Sequence, residues 1–179
     1  MTTTLVLGGA RSGKSGYAER LAIASAKDVV YIATAHAGDD EMARRIAHHR
    51  TSRPAEWLTV EEPLLLGDAI ARHAAPGTFI VVDCLTLWLT NLLFSKDPGD
   101  GEIDLPAQFH EQRARLLDVL LSAAGDVALV SNEVGMGIIP MGAASRCFVD
   151  EAGRLNQAVA AVCERAVFVA AGLPLVLKC

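Results

Sequence analysis

The sequence predicts an α/β fold, a mainly parallel sheet with helices on both faces, and three observations predict it. Short apolar runs alternate with longer stretches of helical periodicity, the runs lack polar alternation, and the first leads directly into a glycine-rich turn. Continuous apolar runs bounded by turn signals read as strands buried on both faces, the pattern of a parallel sheet. The runs are residues 4–7, 29–33, 79–83, 127–131, 167–170 and 175–177. Between them, residues 14–26, 39–51, 63–73, 85–94, 105–124 and 146–165 carry Leu, Ala, Ile or Val every three to four positions and are long enough for helices. Right-handed crossovers in such a sheet put a binding crevice at the carboxyl ends of the strands. Gly172-Leu173-Pro174 would fold the last two runs into a hairpin and add an antiparallel strand at one edge.

A chain of 179 residues is expected to form one domain, 1–179, with a substantial core. Hydrophobic residues at 51% and charged residues at 21% exclude disorder, while 5% aromatics leave the core to aliphatic side chains. Sixteen Lys and Arg against twenty-one Asp and Glu give a net charge of −5, which excludes a whole-chain nucleic-acid footprint. A polyanion must be held locally. Cys84, Cys147, Cys163 and Cys179 form no C-x-x-C pair and read as reduced, mostly buried thiols. The start of the chain lacks a signal-peptide pattern, and the apolar run 79–94 is broken by Asp83 and Asn91, so a cytoplasmic protein without a membrane span is expected. Residues 95–101 are the clearest turn-rich stretch and read as a surface loop.

Gly8-Gly9-Ala10-Arg11-Ser12-Gly13-Lys14-Ser15 follows the first strand and fits G-x-x-x-x-G-K-[ST] at every fixed position. Gly8 and Gly13 would adopt backbone angles closed to other residues, so that successive N–H groups face phosphate oxygens at the positive end of the next helix. Lys14 would reach the β- and γ-phosphates and Ser15 would offer a hydroxyl to Mg²⁺, with Arg11 adding local positive charge. The alternative is a glycine-rich strand-to-helix turn without a ligand. Chance alone would place the four fixed positions together in roughly one such chain in a hundred, and the strand–loop–helix context lowers that further.

Phe79-Ile80-Val81-Val82-Asp83 puts one carboxylate at a buried strand's exit, where an unpaired charge is costly and Asp83 wants a cation such as Mg²⁺ near Ser15. Its structural alternative is to cap the helix beginning at Leu85. In residues 39–51, Asp39, Asp40 and Glu41 suit a helix start. Arg44 with His48, and Arg45 with His49, lie at i and i+4 and could reach one anion. Adjacent histidines point about 100° apart, so only one would meet a given reacting atom. A solvated basic face is the competing reading.

At this point the sequence resembles one family closely and over nearly its whole length: the bifunctional adenosylcobinamide kinase/adenosylcobinamide-phosphate guanylyltransferases of cobalamin biosynthesis, of P-loop NTPase (RecA-like) fold. The matching stretches, in order, include the phosphate loop, Tyr31-Ile32-Ala33-Thr34, Asp39-Asp40-Glu41-Met42, Arg45-Ile46-Ala47-His48-His49-Arg50 and Arg53-Pro54. Thr90-Asn91-Leu92-Leu93, Asn132-Glu133-Val134-Gly135-Met136-Gly137 and Gly153-Arg154-Leu155-Asn156-Gln157 complete them. The resemblance implies that His48 becomes guanylylated. It also implies a GTP site made of Gly8 to Ser15, then Thr34, Ala35 and His36 (the last through its backbone), His49, Arg50, Thr51, Ser52, Glu61 and Asp83. The substrates it implies are adenosylcobinamide, adenosylcobinamide phosphate, ATP and GTP, and the assembly it implies is a homotrimer. A neutral imidazole can attack phosphorus, and an unperturbed pKa of about 6.5 suits that role. Glu61 reads equally as a nucleotide contact by resemblance or as a capping acid before a helix starting at Pro63. Residues 132–137 leave the fourth expected strand at the same sheet edge, and their glycines permit a tight loop that would shape the cobinamide site. Another small-molecule kinase, with the histidines as basic contacts, and a non-catalytic nucleotide sensor are the competing functions. The guanine-reading N-K-x-D signature is absent, so guanine preference rests on the resemblance alone.

Overall fold

A computed structural model describes residues 2–35, 54–94 and 104–179. In chain order the elements are β1 (Thr3–Gly8), α1 (Lys14–Ala24), β2 (Asp28–Ala33), β3 (Leu58–Glu61), α2 (Leu66–His73), β4 (Thr78–Asp83), α3 (Leu85–Leu93), α4 (Ala107–Ser122), β5 (Asp126–Asn132), α5 (Ala143–Val162), β6 (Arg165–Ala170) and β7 (Leu173–Lys178). They form a seven-stranded sheet ordered β3-β2-β4-β5-β1-β6-β7, parallel throughout except for the antiparallel β6–β7 pair. All six expected strands are present. The expected helix over residues 39–51 and the loop over 95–101 lie outside the described residues.

Alternation along the strands divides the core in two. Leu5, Leu7, Ile32, Ile80, Val82, Val127 and Leu129 face α2, α3, α4 and α5. Val6, Tyr31, Phe79, Val81, Ala128 and Val130 face the other way, onto Ala18 and Ala22 of α1. Each large aliphatic side chain buried here contributes roughly 1.5–3 kcal/mol of transfer free energy, which is how an aromatic-poor chain holds a seven-stranded sheet together. Trp88, fully buried, donates from Nε1 to the Leu64 carbonyl at 2.9 Å, so its one polar atom is satisfied.

Three local expectations are corrected. Strand β3, Leu-Thr-Val-Glu, has no apolar run because it is a mostly exposed edge strand, and the Asn132 loop therefore leaves the fifth strand rather than the fourth. Helix α2 starts at Leu66, not at Pro63, and the acid at its entrance is Glu62, whose Oε1 accepts the N–H groups of Leu64 and Leu65 at 3.1 and 2.8 Å. The C-terminal hairpin turns at Ala171-Gly172, both at positive φ (52° and 78°), the geometry whose twist suits a two-residue hairpin. Pro174 sits inside β7, which as the outermost strand tolerates a residue without an N–H.

Among the described residues, no helix is long and apolar enough to cross a membrane. All four cysteines are free: Cys84 and Cys163 are buried, Cys147 is half-buried and Cys179 is exposed.

Candidate nucleotide-binding site

The six parallel strands end on one side of the sheet, and the described residues of the predicted site, Gly8 to Ser15, Thr34, Ala35, Glu61 and Asp83, lie at those ends. β1 ends at Gly8, and the chain makes a compact loop before α1 begins at Lys14. Within the loop the Ser12 N–H donates to the Gly9 carbonyl at 3.2 Å, and the Tyr17 N–H donates to the Gly13 carbonyl at 3.0 Å as α1 begins. Gly13 has φ +96°, as expected of a glycine that only a missing Cβ permits. Gly8 is needed for a different reason than expected: it is absent from the positive-φ positions, but a Cβ on it would lie 2.4 Å from Ser12 Oγ and 2.5 Å from the Val169 carbonyl oxygen. The loop is thus pressed against β6. It is also tied to the C-terminal hairpin, because the Gly172 N–H donates to the Ser12 carbonyl at 2.8 Å. Arg11, at the exposed tip, takes a left-handed φ of 55°, a conformation that costs a non-glycine residue about 1 kcal/mol or more and that persists here under these surrounding constraints.

Lys14 is 8% exposed, and its Nζ donates to the Gly9 carbonyl at 3.1 Å, folding the ammonium back over the loop. Burial pulls its pKa below the ordinary value, while Cys84 and Asp83 act in the opposite direction. A largely desolvated cation set against one carboxylate is poised to gain from an incoming polyanion. Asp83 ends β4, and its Oδ2 accepts a hydrogen bond from the Tyr31 hydroxyl at 2.6 Å. Its capping alternative is not what the fold uses. Cys84 is the residue before α3, and no side chain caps that helix. Cys84 itself is inert as a nucleophile, since burial, followed by the Asp83 charge, pushes its thiol up to about 11.

Ser15 stands in the first turn of α1, half-buried, and its hydroxyl and the Asp83 carboxylate are the two oxygens the motif offers a divalent cation. Among the described residues no group of three or more His, Cys, Asp or Glu could hold a metal. Two oxygen donors, with water and phosphate completing the shell, suit Mg²⁺, which usually keeps several waters and takes one or two protein ligands plus substrate phosphates. The residues present therefore fit the ion the motif implies.

Thr34 and Ala35 follow β2. Thr34 is fully buried: its Oγ1 donates to the Cys84 carbonyl at 2.7 Å and accepts the Cys84 N–H at 2.8 Å, and its own N–H donates to the Asp83 carbonyl at 3.1 Å. Its carbonyl accepts from Asn91 Nδ2 at 2.8 Å, and the same amide reaches the Pro63 carbonyl at 3.1 Å. Thr34 and Asn91 hence lock the exits of β2, β3 and β4 together. Glu61 is the last residue of β3, exposed and in register with Ala33, so it lies on the same rim. His36, His48, His49, Arg50, Thr51 and Ser52 lie outside the described residues.

Composition and spacing mark neither Tyr31 nor Thr86 as part of the site. A Tyr in an apolar strand gives no sign that its hydroxyl will meet a carboxylate on the neighbouring strand, and only the Tyr31–Val81 register brings them together.

The family model described as cobinamide kinase / cobinamide phosphate guanyltransferase matches residues 4–177. The chain belongs to this family. It is 55% identical over 176 residues to the bifunctional adenosylcobalamin biosynthesis protein CobP of Pseudomonas aeruginosa, covering 97% of this chain and 96% of that one. It is 43% identical over 182 residues to the corresponding CobU of Salmonella typhimurium and 41% over 179 residues to that of Escherichia coli, in both cases covering 97% of this chain and 98% of the relative. Among solved structures, the RadB recombinase superposes with a TM-score of 0.51 at 17% identity, covering 93% of this chain and 73% of that one. An ATPase of a type III secretion system gives 0.59 at 9% identity, covering 98% and 56%. These distant likenesses show the fold alone, a mainly parallel sheet with helices, to which this chain's β6–β7 pair adds an antiparallel edge.

Proposed function

We propose that the chain catalyses both reactions for which its family is named. The first moves the γ-phosphoryl group of ATP or GTP to the hydroxyl of the adenosylcobinamide aminopropanol arm. The second moves GMP from GTP to adenosylcobinamide phosphate, giving adenosylcobinamide-GDP and pyrophosphate. The observation that carries this reading is the buried Lys14 ammonium folded over a glycine loop, with Asp83 at the exit of β4 on the same sheet face, in a chain 55% identical to a bifunctional relative.

In the transfer of GMP, the unprotonated imidazole of His48 attacks the α-phosphorus: a P–N bond forms, the bond to the β-phosphate oxygen breaks, and pyrophosphate leaves. A phosphate oxygen of adenosylcobinamide phosphate then attacks the same phosphorus and the P–N bond breaks, returning the imidazole. Gly8 to Lys14 bind the phosphate chain through loop N–H groups and one ammonium, which need no reorganisation as charge builds on the leaving oxygens. Mg²⁺ held by Ser15 and Asp83 would neutralise phosphate charge in both reactions. Thr34, Ala35, His36, His49, Arg50, Thr51, Ser52 and Glu61 complete the GTP site on this reading. The assembly is a homotrimer in the cytoplasm, for which a solution mass three times that of the chain is the expected result.

The deciding experiment incubates the protein with GTP labelled at the α-phosphate and no acceptor. An acid-labile, base-stable protein label that is absent from His48→Ala supports the reading. A label that survives the substitution reassigns the nucleophile.

A further inference from the structure

Asn132 ends β5, the strand lying between the phosphate-loop strand β1 and the Asp83 strand β4. Ala128 and Val130 pack on the α1 face of the sheet, so alternation directs Asn132 to that face as well. Asp83, following Phe79 and Val81, and Gly8, following Val6, share it. Asn132 is level with Gly8 in the β1–β5 register, and Asp83 is level with Val130. With strands about 4.8 Å apart, Asn132 ends the strand that separates the loop from the carboxylate, two residues nearer the mouth than Asp83.

Backbone and side chain of this strand end are both held by hydrogen bonds. The Asn132 N–H and its Nδ2 both donate to Thr86 Oγ1, at 2.8 and 3.1 Å. Thr86 lies in the first turn of α3, three residues beyond Asp83, so one hydroxyl joins the exits of β4 and β5. The Asn132 carbonyl accepts from Asn156 Nδ2 at 3.4 Å, and Asn156 Oδ1 accepts the Ser131 hydroxyl at 2.7 Å. The next residue, Glu133, donates its N–H to the Gly8 carbonyl at 3.0 Å. Among the described residues Thr86 is the only partner of the Asn132 carboxamide, which leaves one Nδ2 hydrogen and the oxygen uncommitted.

Resting on the proposed kinase reaction, we infer that Asn132 is a further catalytic residue, its remaining Nδ2 hydrogen donating to a γ-phosphoryl oxygen of the bound triphosphate, and that Thr86 is its positioning residue. As the bond from the γ-phosphorus to the acceptor oxygen forms and the bond to the β-phosphate oxygen breaks, charge is shared among the γ-oxygens, the hydroxyl proton passes to solvent, and a nucleoside diphosphate leaves. A fixed donor at that point stabilises the transition state more than the ground state. During GMP transfer the γ-group only departs with pyrophosphate, so the same donor matters less.

The test measures both reactions in Asn132→Ala, Thr86→Val and Thr86→Ser beside the unaltered protein. Loss of one such donor is expected to lower kinase kcat about 100-fold, with nucleotide KM within about threefold and self-guanylylation from α-labelled GTP within about fivefold. Thr86→Val is expected to lose about tenfold in kinase kcat, and Thr86→Ser, which keeps the hydroxyl, to recover to within about twofold. Equal loss of both reactions, a loss confined to KM, or Thr86→Ser no better than Thr86→Val overturns the assignment, and the Thr86 pair decides it if Asn132→Ala fails to fold. An unaltered protein that transfers no phosphoryl group overturns the kinase reading itself, whereas an active one matched by Asn132→Ala overturns only the role of Asn132.

Discussion

Gly8→Ala tests the packing of the phosphate loop most directly. The added Cβ would lie 2.4 Å from Ser12 Oγ and 2.5 Å from the Val169 carbonyl oxygen, where non-bonded heavy atoms rest at about 3.5 Å. The Ser12 side chain can turn away, but the Val169 oxygen belongs to strand β6, paired to β1 in register at this very position. The loop or the strand must therefore shift by about 1 Å. Overpacking of that kind costs about 1–3 kcal/mol. At about 2–4 °C per kcal/mol for a chain of this size, Tm should fall by about 2–12 °C. The effect on catalysis should be larger in proportion, because a misplacement of about 1 Å in a positioning element costs about 100-fold in rate. Thermal melts and steady-state phosphoryl transfer from γ-labelled ATP to adenosylcobinamide measure the two effects on one preparation. A variant that melts within about 1 °C of the unaltered protein and keeps more than about half its kcat would refute the claim that β6 dictates glycine at this position.

Lys14→Ala removes the one buried ammonium of the loop and should depress kinase and guanylyl transfer together, each by about 100-fold or more, in parallel assays; retention of either would contradict a shared phosphate site. Thr34→Val keeps the shape of a fully buried side chain but strands the Cys84 N–H and carbonyl, and should cost about 2–4 kcal/mol in urea unfolding. Asp126 accepts from Lys27 Nζ at 2.6 Å and from the Thr2 N–H at 2.8 Å. Burial alone would raise its pKa, but those bonds and the Lys27 charge carry it below the ordinary 3.8. A carboxylate whose folded pKa is depressed stabilises the fold above its unfolded pKa and loses that contribution as pH falls through the folded value. Asp126→Asn should accordingly be about 1 kcal/mol less stable at pH 7, and the gap should close as denaturation is followed below pH 3.8.

The sequence by itself determined the alternation of strands and helices, because apolar runs without polar interruption have only a doubly covered parallel sheet in which to bury both faces. It also determined the phosphate loop, since Gly8, Gly13, Lys14 and Ser15 at fixed spacing between strand and helix are local chemistry that needs no distant partner. Asp83 was legible for the same reason, as one charge closing an apolar strand. Strand β3 was not, because an exposed edge strand of four residues carries too little apolar pattern to announce itself. Nor was the acid at the α2 entrance: Glu61 and Glu62 are chemically alike, and only the end of the β2–β3 pairing decides which one turns toward the Leu64 and Leu65 amides.

Only the tertiary structure decided which strands lie side by side. Strand order set β5 between β1 and β4, and with it Asn132 between the loop and Asp83, although 49 positions separate Asn132 from Asp83 in the chain. The reason Gly8 must be glycine, the hold of Gly172 on the loop, and the Tyr31 bond to Asp83 are likewise contacts between segments far apart in sequence. Their partners are chosen by register and packing, which arise when the sheet closes and are written in no single stretch of residues.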